Sequence, residues 1–137
     1  MIKRIAHIGV AVENLKASSD LFTRLLGRSP EQTESVVEQR AMISFYPVGD
    51  SSIELIEPMR GPASGSPVEN FIKKRGEGIH HVCLEVDDIV FEINRLKGLG
   101  FLFVDDHPSQ GGDGALVAFI HPKSANGVLV ELSQPQR

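Results

Sequence analysis

The sequence contains one cysteine in 137 residues, Cys83, so no intramolecular disulfide can form. No run approaches the roughly 18 to 20 consecutive apolar residues that a membrane-spanning helix needs, and the N-terminus lacks the apolar core of a signal peptide. Basic runs are missing as well. Fourteen Lys and Arg stand against 18 Asp and Glu, for a net charge of −4, which gives no cationic footprint for DNA or RNA. Thirteen glycines and eight prolines leave no room for a low-complexity tract. These absences predict a soluble, cytoplasmic protein whose partners are small molecules, with no nucleic acid and no membrane among them.

What is present is the composition of an ordinary globular chain, 41% apolar and 23% charged, of a length that suits one domain. Its strongest feature is an internal repeat. Ile5-Ala6-His7-Ile8-Gly9-Val10-Ala11-Val12-Glu13-Asn14 is answered 74 positions later by Ile79-His80-His81-Val82-Cys83-Leu84-Glu85-Val86-Asp87-Asp88. Both segments read as strands with histidine at the third place, ending on an Asn or Asp able to cap a helix. Leu21, Phe22, Leu25 and Leu26 then recur at helical spacing before Gly27, and Ile89, Ile93, Leu96 and Leu99 do so around Gly98 and Gly100.

Each half continues with apolar runs that predict three further strands. In the first half they fall near Ser35 to Arg40, Met42 to Tyr46 and around Ile53-Glu54-Leu55. In the second they fall near Phe101 to Asp105, Ala115 to Ile120 and around Val130-Glu131-Leu132. The reading is therefore α+β, a tandem of two strand-helix-three-strand modules over about 1–60 and 76–137. Between them lies Gly61-Pro62-Ala63-Ser64-Gly65. Ser66-Pro67-Val68-Glu69 follows, with the capping-box form that predicts a short helix to about Arg75.

The repeat singles out four side chains. Alternation along a strand puts His7 on one face with Ile5 and Gly9, and His81 on one face with Ile79 and Cys83. Glu54 and Glu131 each sit between apolar neighbours, where an ionised carboxylate is costly unless paired or bound to a cation. If the halves pack about a pseudo-twofold axis, His7, Glu54, His81 and Glu131 form two equivalent pairs. Two imidazoles and two carboxylates suit a divalent transition metal with positions left for water or substrate. His80 faces the other way and reads as a packing residue. His107 and His121 have no counterpart in the first half and read as loop residues, and Cys83 reads as a small buried hydrophobe. Lys73-Lys74-Arg75 reads as a solvated helix end, with an anionic ligand tail as the alternative. Gly111-Gly112-Asp113-Gly114 reads as a turn, not a phosphate cradle.

With these residues in place, the chain resembles the vicinal oxygen chelate superfamily, which includes the glyoxalase and bleomycin resistance proteins. Its motifs are similar to those of the methylmalonyl-CoA epimerase family within it. The likeness is carried by Gly76-Glu77-Gly78-Ile79-His80-His81 with Val86-Asp87-Asp88-Ile89, and by His121-Pro122-Lys123-Ser124 with Gly127-Val128-Leu129-Val130-Glu131-Leu132. Pro47-Val48-Gly49-Asp50 and Ile53-Glu54-Leu55-Ile56-Glu57-Pro58 fit as well. Ala6 stands where the family usually has Asp. A glutamate that some members carry shortly after the Glu38-Gln39 pair falls here on Ile43 or Met42.

The resemblance implies a curved, incomplete-barrel mixed sheet around a metal cleft, holding one divalent ion per chain: cobalt foremost, with nickel, manganese or zinc as alternatives. It further implies an acyl-CoA substrate, a homodimer, and interconversion of (R)- and (S)-methylmalonyl-CoA by removal of the C2 proton through a metal-stabilised enolate. Glu131 is then both metal ligand and base, while the group on the opposite face of C2 is Glu38 or a bound water. The four-ligand pattern also fits glyoxalase I, a lactoylglutathione lyase. The same fold also serves non-catalytic small-molecule binding and resistance proteins.

Overall fold

The computed structural model describes residues 1–37, 40–59 and 66–136. Strand β1 (Ile2–Ala11) leads to helix α1 (Leu15–Leu26), followed by β2 (Gln32–Val36), β3 (Ala41–Val48) and β4 (Ser51–Pro58). Helix α2 (Pro67–Arg75) intervenes. The pattern then repeats as β5 (Gly78–Val86), α3 (Ile89–Gly98), β6 (Ser109–Gln110), β7 (Leu116–Ile120) and β8 (Val130–Gln134). The strand-helix-three-strand tandem read from the sequence is thus the observed element order. The strands form one mixed sheet in the order β2-β3-β4-β1-β5-β8-β7-β6.

The helices start and stop where local chemistry directs. Asn14 and Asp88, 74 positions apart, accept the N–H groups of Ala17 and Phe91 as N-caps of α1 and α3. Ser66 caps α2 by accepting from Glu69, with Pro67 at the first helical position. Gly27 ends α1 at a φ of 72°, a conformation glycine takes without a Cβ clash.

Two compact units are resolved, one of Met1–Ala6 with His81–Arg137 and one of His7–His80. In the unit of His7–His80, β1 pairs in parallel with β4, and β4 is followed by antiparallel β3 and β2. Here α1 lays Leu15, Phe22 and Leu26 against Val10, Val12, Tyr46 and Leu55. Leu21 and Leu25 of the predicted apolar stripe are instead 53% and 69% exposed. The buried stripe of α1 runs through Ser19, which the sheet side meets with polar groups: Tyr46 Oη donates to the Ser19 carbonyl at 2.9 Å, and Ser44 Oγ lies 3.3 Å from Ser19 Oγ.

In the other unit, β5 pairs in parallel with β8, and β8 with antiparallel β7. Ile89, Ile93 and Leu96 of α3 pack on Val86, Ala118, Ile120 and Leu132. Leu99, expected in this stripe, is exposed.

Two strands depart from expectation. β2 spans Gln32–Val36, earlier than the run near Ser35 to Arg40; pairing on one side only, it tolerates the polar residues that hid it. Its tail turns at Arg40, whose φ is 52°, and Glu38 and Gln39 lie outside the described residues. The run from Phe101 to Asp105 forms only an isolated bridge, Phe103 to Ile120, and the paired strand is the two-residue β6 beyond Pro108. The glycine-rich join at 61–65 also lies outside the described residues.

Candidate functional site

Strand register places the four predicted residues as two pairs, each within one unit. On β1 and β4, Gly9 stands opposite Glu54, and Glu54 stands opposite Phe45 of β3. His7, two residues before Gly9, shares that face, and its Nδ1 lies 2.9 Å from Glu54 Oε2. On β5 and β8, Cys83 stands opposite Glu131, and Glu131 opposite Phe119 of β7. His81, two residues before Cys83, approaches Glu131 Oε1 with its Nε2 at 3.1 Å. The same row of four recurs: His7, Gly9, Glu54 and Phe45 in one unit, His81, Cys83, Glu131 and Phe119 in the other.

Burial makes these contacts costly to leave uncompensated. His81 and Glu131 are 6% and 5% exposed, and the side chains of His7 and Glu54 are 15% and 12% exposed. A carboxylate removed from water is stable only with a hydrogen-bonding or cationic partner. In each pair an imidazole nitrogen aims at a carboxylate oxygen, so the pair either shares a proton or offers two lone pairs to a cation. Nitrogen and oxygen donors of this kind are the chemical types that bind a divalent transition metal.

A phenylalanine stands opposite each carboxylate on the neighbouring strand, Phe45 opposite Glu54 and Phe119 opposite Glu131, a feature the sequence reading missed. The Phe119 ring meets the His81 ring edge-on at 6.3 Å between centroids. An aromatic residue 74 positions from its counterpart, Phe45 and Phe119, is a signal the repeat already held. A second missed repeat ties strand to helix: Glu57 Oε1 accepts the N–H of Leu15 at 3.0 Å, and Gln134 Oε1 accepts the N–H of Ile89 at 2.8 Å. Each lies three residues after a site glutamate and caps the helix of its own module.

The two faces differ beyond the pairs. Past His7 and Glu54, the face continues as Ala11, Ile56 and Ile43, and α2 closes over it with Val68, Phe71 and Ile72. Past His81 and Glu131, the corresponding register positions are Glu85 opposite Ser133. Glu85 accepts from Arg4 Nη2 at 3.1 Å.

The other histidines behave as the sequence suggests. His80 meets Phe71 of α2 edge-on at 5.0 Å. His107 lies in an exposed bend, and His121 accepts from the Lys123 N–H at the start of a short 3-10 turn. Cys83 is fully buried. At the end of α2, Lys73 pairs with Glu69 and Arg75 lies over the Phe71 ring. Gly112–Gly114 forms a 3-10 turn with Asp113 at a φ of 57°. Of the two positions on which the resemblance sets a further glutamate, Ile43 is buried opposite Ile56, and Met42 stands opposite Glu57.

A family model of the Glyoxalase/Bleomycin resistance protein/Dioxygenase superfamily matches residues 6–119. The mitochondrial methylmalonyl-CoA epimerase of Dictyostelium discoideum is 39% identical over 134 residues, covering 97% of this chain and 79% of that protein. The ethylmalonyl-CoA/methylmalonyl-CoA epimerase of Cereibacter sphaeroides is 35% identical over 136 residues, covering 98% and 99%. Among solved structures, a variant of Streptomyces coelicolor methylmalonyl-CoA epimerase in complex with 2-nitronate-propionyl-CoA superposes with a TM-score of 0.88 at 30% identity, covering 98% of this chain and 96% of that one. With the tandem modules, the repeated His–Glu pairs and a family match over most of its length, the chain belongs to the Glyoxalase/Bleomycin resistance protein/Dioxygenase superfamily.

Proposed function

We propose that this chain is an epimerase that interconverts (R)- and (S)-methylmalonyl-CoA. The observation that carries the reading is the extent of the likeness: relatives named as epimerases of this substrate match 97% and 98% of the chain, a span that includes both His–Glu pairs. His7, Glu54, His81 and Glu131 would hold one divalent metal ion. When bound, that ion supplies Lewis-acid stabilisation of the negative charge that leaves C2 for the thioester oxygen, worth several kcal/mol of barrier.

The remaining work falls to side chains. Epimerisation removes a proton from one face of C2 and returns one to the other, so an acid/base group must serve each face. Glu131 takes the proton on one face. His81, 3.1 Å away, orients that carboxylate, and its burial limits its solvation. The second group is Glu38, outside the described residues, or a bound water, since Ile43 has no proton to give.

Incubating the purified protein with one epimer tests the reading. Conversion to an equal mixture of both, with no turnover of a glutathione hemithioacetal, is the expected result. Turnover of the hemithioacetal alone would replace this reading with a glyoxalase one.

A further inference from the structure

Strand β2 carries an acid onto the face of the His7–Glu54 pair. Residues directly opposed across an antiparallel ladder share one face of the sheet. Gln32 stands opposite Phe45, and Phe45 opposite Glu54; the next row runs from Glu34 through Ile43 to Ile56. The residues between them look the other way, since Thr33 Oγ1 lies 2.9 Å from Ser44 Oγ, and Ser44 Oγ lies 3.3 Å from Ser19 Oγ of α1. Among the described residues of β2, β3 and β4, Glu34 and Glu54 are thus the acids on this face. Glu34 is half-buried where Thr33 and Ser35 are exposed. Gln32 Nε2 donates to Glu34 Oε2 at 3.0 Å, which draws the carboxylate along β2 toward the row of Glu54. Behind it, Val36, Ala41, Ile43 and Ile56 form an apolar cluster that α2 closes. Two strand spacings, ~9.6 Å, separate β2 from β4. A glutamate side chain spans roughly half of that, and one water with two hydrogen bonds of ~2.7 Å spans the rest.

We propose that Glu34 is the positioning residue for the water that serves the second face of C2, and that it exchanges protons with that water. The inference deepens the epimerase reading and rests on it. Gln32 holds one carboxyl oxygen of Glu34 and leaves Oε1 for the water. In the direction in which Glu131 takes the C2 proton, the electron pair left on C2 forms the new C–H bond with a proton of the water. The O–H bond broken there is remade with the proton of the Glu34 carboxyl, which ends as a carboxylate. In the reverse direction the water takes the C2 proton and passes one of its own to the Glu34 carboxylate. Solvent resets both carboxyl groups, and nothing is oxidised or reduced.

The test separates exchange from inversion. Each epimer of methylmalonyl-CoA is incubated by itself in deuterated water with the full-length wild-type protein, with Glu34→Gln and with Glu34→Asp, and C2 of both epimers is followed by NMR. Glu34→Gln is expected to slow interconversion at least ten-fold, while the epimer whose C2 hydrogen faces Glu131 still takes up deuterium with its configuration retained and the other epimer does not. That retained exchange shows in the same sample that the variant is folded. Glu34→Asp keeps a carboxyl group and is expected to recover part of the lost interconversion. Glu34→Gln that interconverts the epimers like the wild type, or that loses exchange from both epimers alike, overturns the assignment and leaves the epimerase reading standing. Wild-type protein that exchanges neither epimer overturns the epimerase reading and the assignment with it.

Discussion

His81 and Glu131 face each other across the parallel β5–β8 ladder with 3.1 Å between Nε2 and Oε1, both almost wholly buried. Glu131→Gln keeps a carbonyl oxygen for a metal and removes the basic lone pair, so it separates a ligand role from a base role. C2 exchange at saturating metal is expected to fall by a factor of about 10²–10⁴, the usual worth of a general base, while metal content on the same sample falls far less. Retained metal with near-normal exchange would make Glu131 a ligand only.

Tyr46 is fully buried, donates to the Ser19 carbonyl at 2.9 Å and lies 3.1 Å from Thr23 Oγ1. Tyr46→Phe leaves these α1 groups without that partner in a closed interior. Urea unfolding is expected to show a loss of about 1–2 kcal/mol, with the kinetics of the variant unchanged because the hydroxyl points to the side of the sheet away from His7 and Glu54. A neutral result would mean that water or Ser44 replaces the bond.

The repeat made much of this molecule legible beforehand. His7 with His81 and Asn14 with Asp88 stand out at an offset of 74, and Glu54 with Glu131 at 77, because polar residues recurring at matching places in two otherwise apolar modules have no packing reason to do so. What stayed hidden followed from tertiary context. β2 reads as polar because it pairs on one side only, and the Leu21–Leu25 stripe misled because the core side of α1 uses Ser19 and Phe22 against a partly polar sheet. The closure of one face by α2 cannot be read from periodicity. It depends on which way Phe71 and Ile72 pack.

A separate ionic group stabilises the start of α3. Glu92 is buried, 2.8 Å from the Met1 amino group and 2.8 Å from Arg95 Nε. The hydrogen bond from the amino group, with that from Arg95, holds its carboxyl below the usual value against the opposing effect of burial. A lowered folded-state pKa means that this stability is fully present above the unfolded value, near ~4.3, and is lost as pH falls through the folded one. Glu92→Gln is therefore expected to cost about 1.5–3 kcal/mol near pH 7, the range for hydrogen bonds to charged groups, with the gap to wild type closing below about pH 4. A gap that stayed constant across that range in urea titrations would assign the effect to packing.

The central claim, metal-dependent proton exchange at C2, is tested most directly by deuterium. One epimer of methylmalonyl-CoA is incubated in deuterated water with the metal-replete protein, with the chelated protein, and with the chelated protein after a divalent ion is restored, and C2 is followed by NMR. The account predicts deuterium at C2 of both epimers with the replete protein, none above background after chelation, and recovery at one ion per chain. Undiminished exchange in protein shown by elemental analysis to be metal-free would contradict it.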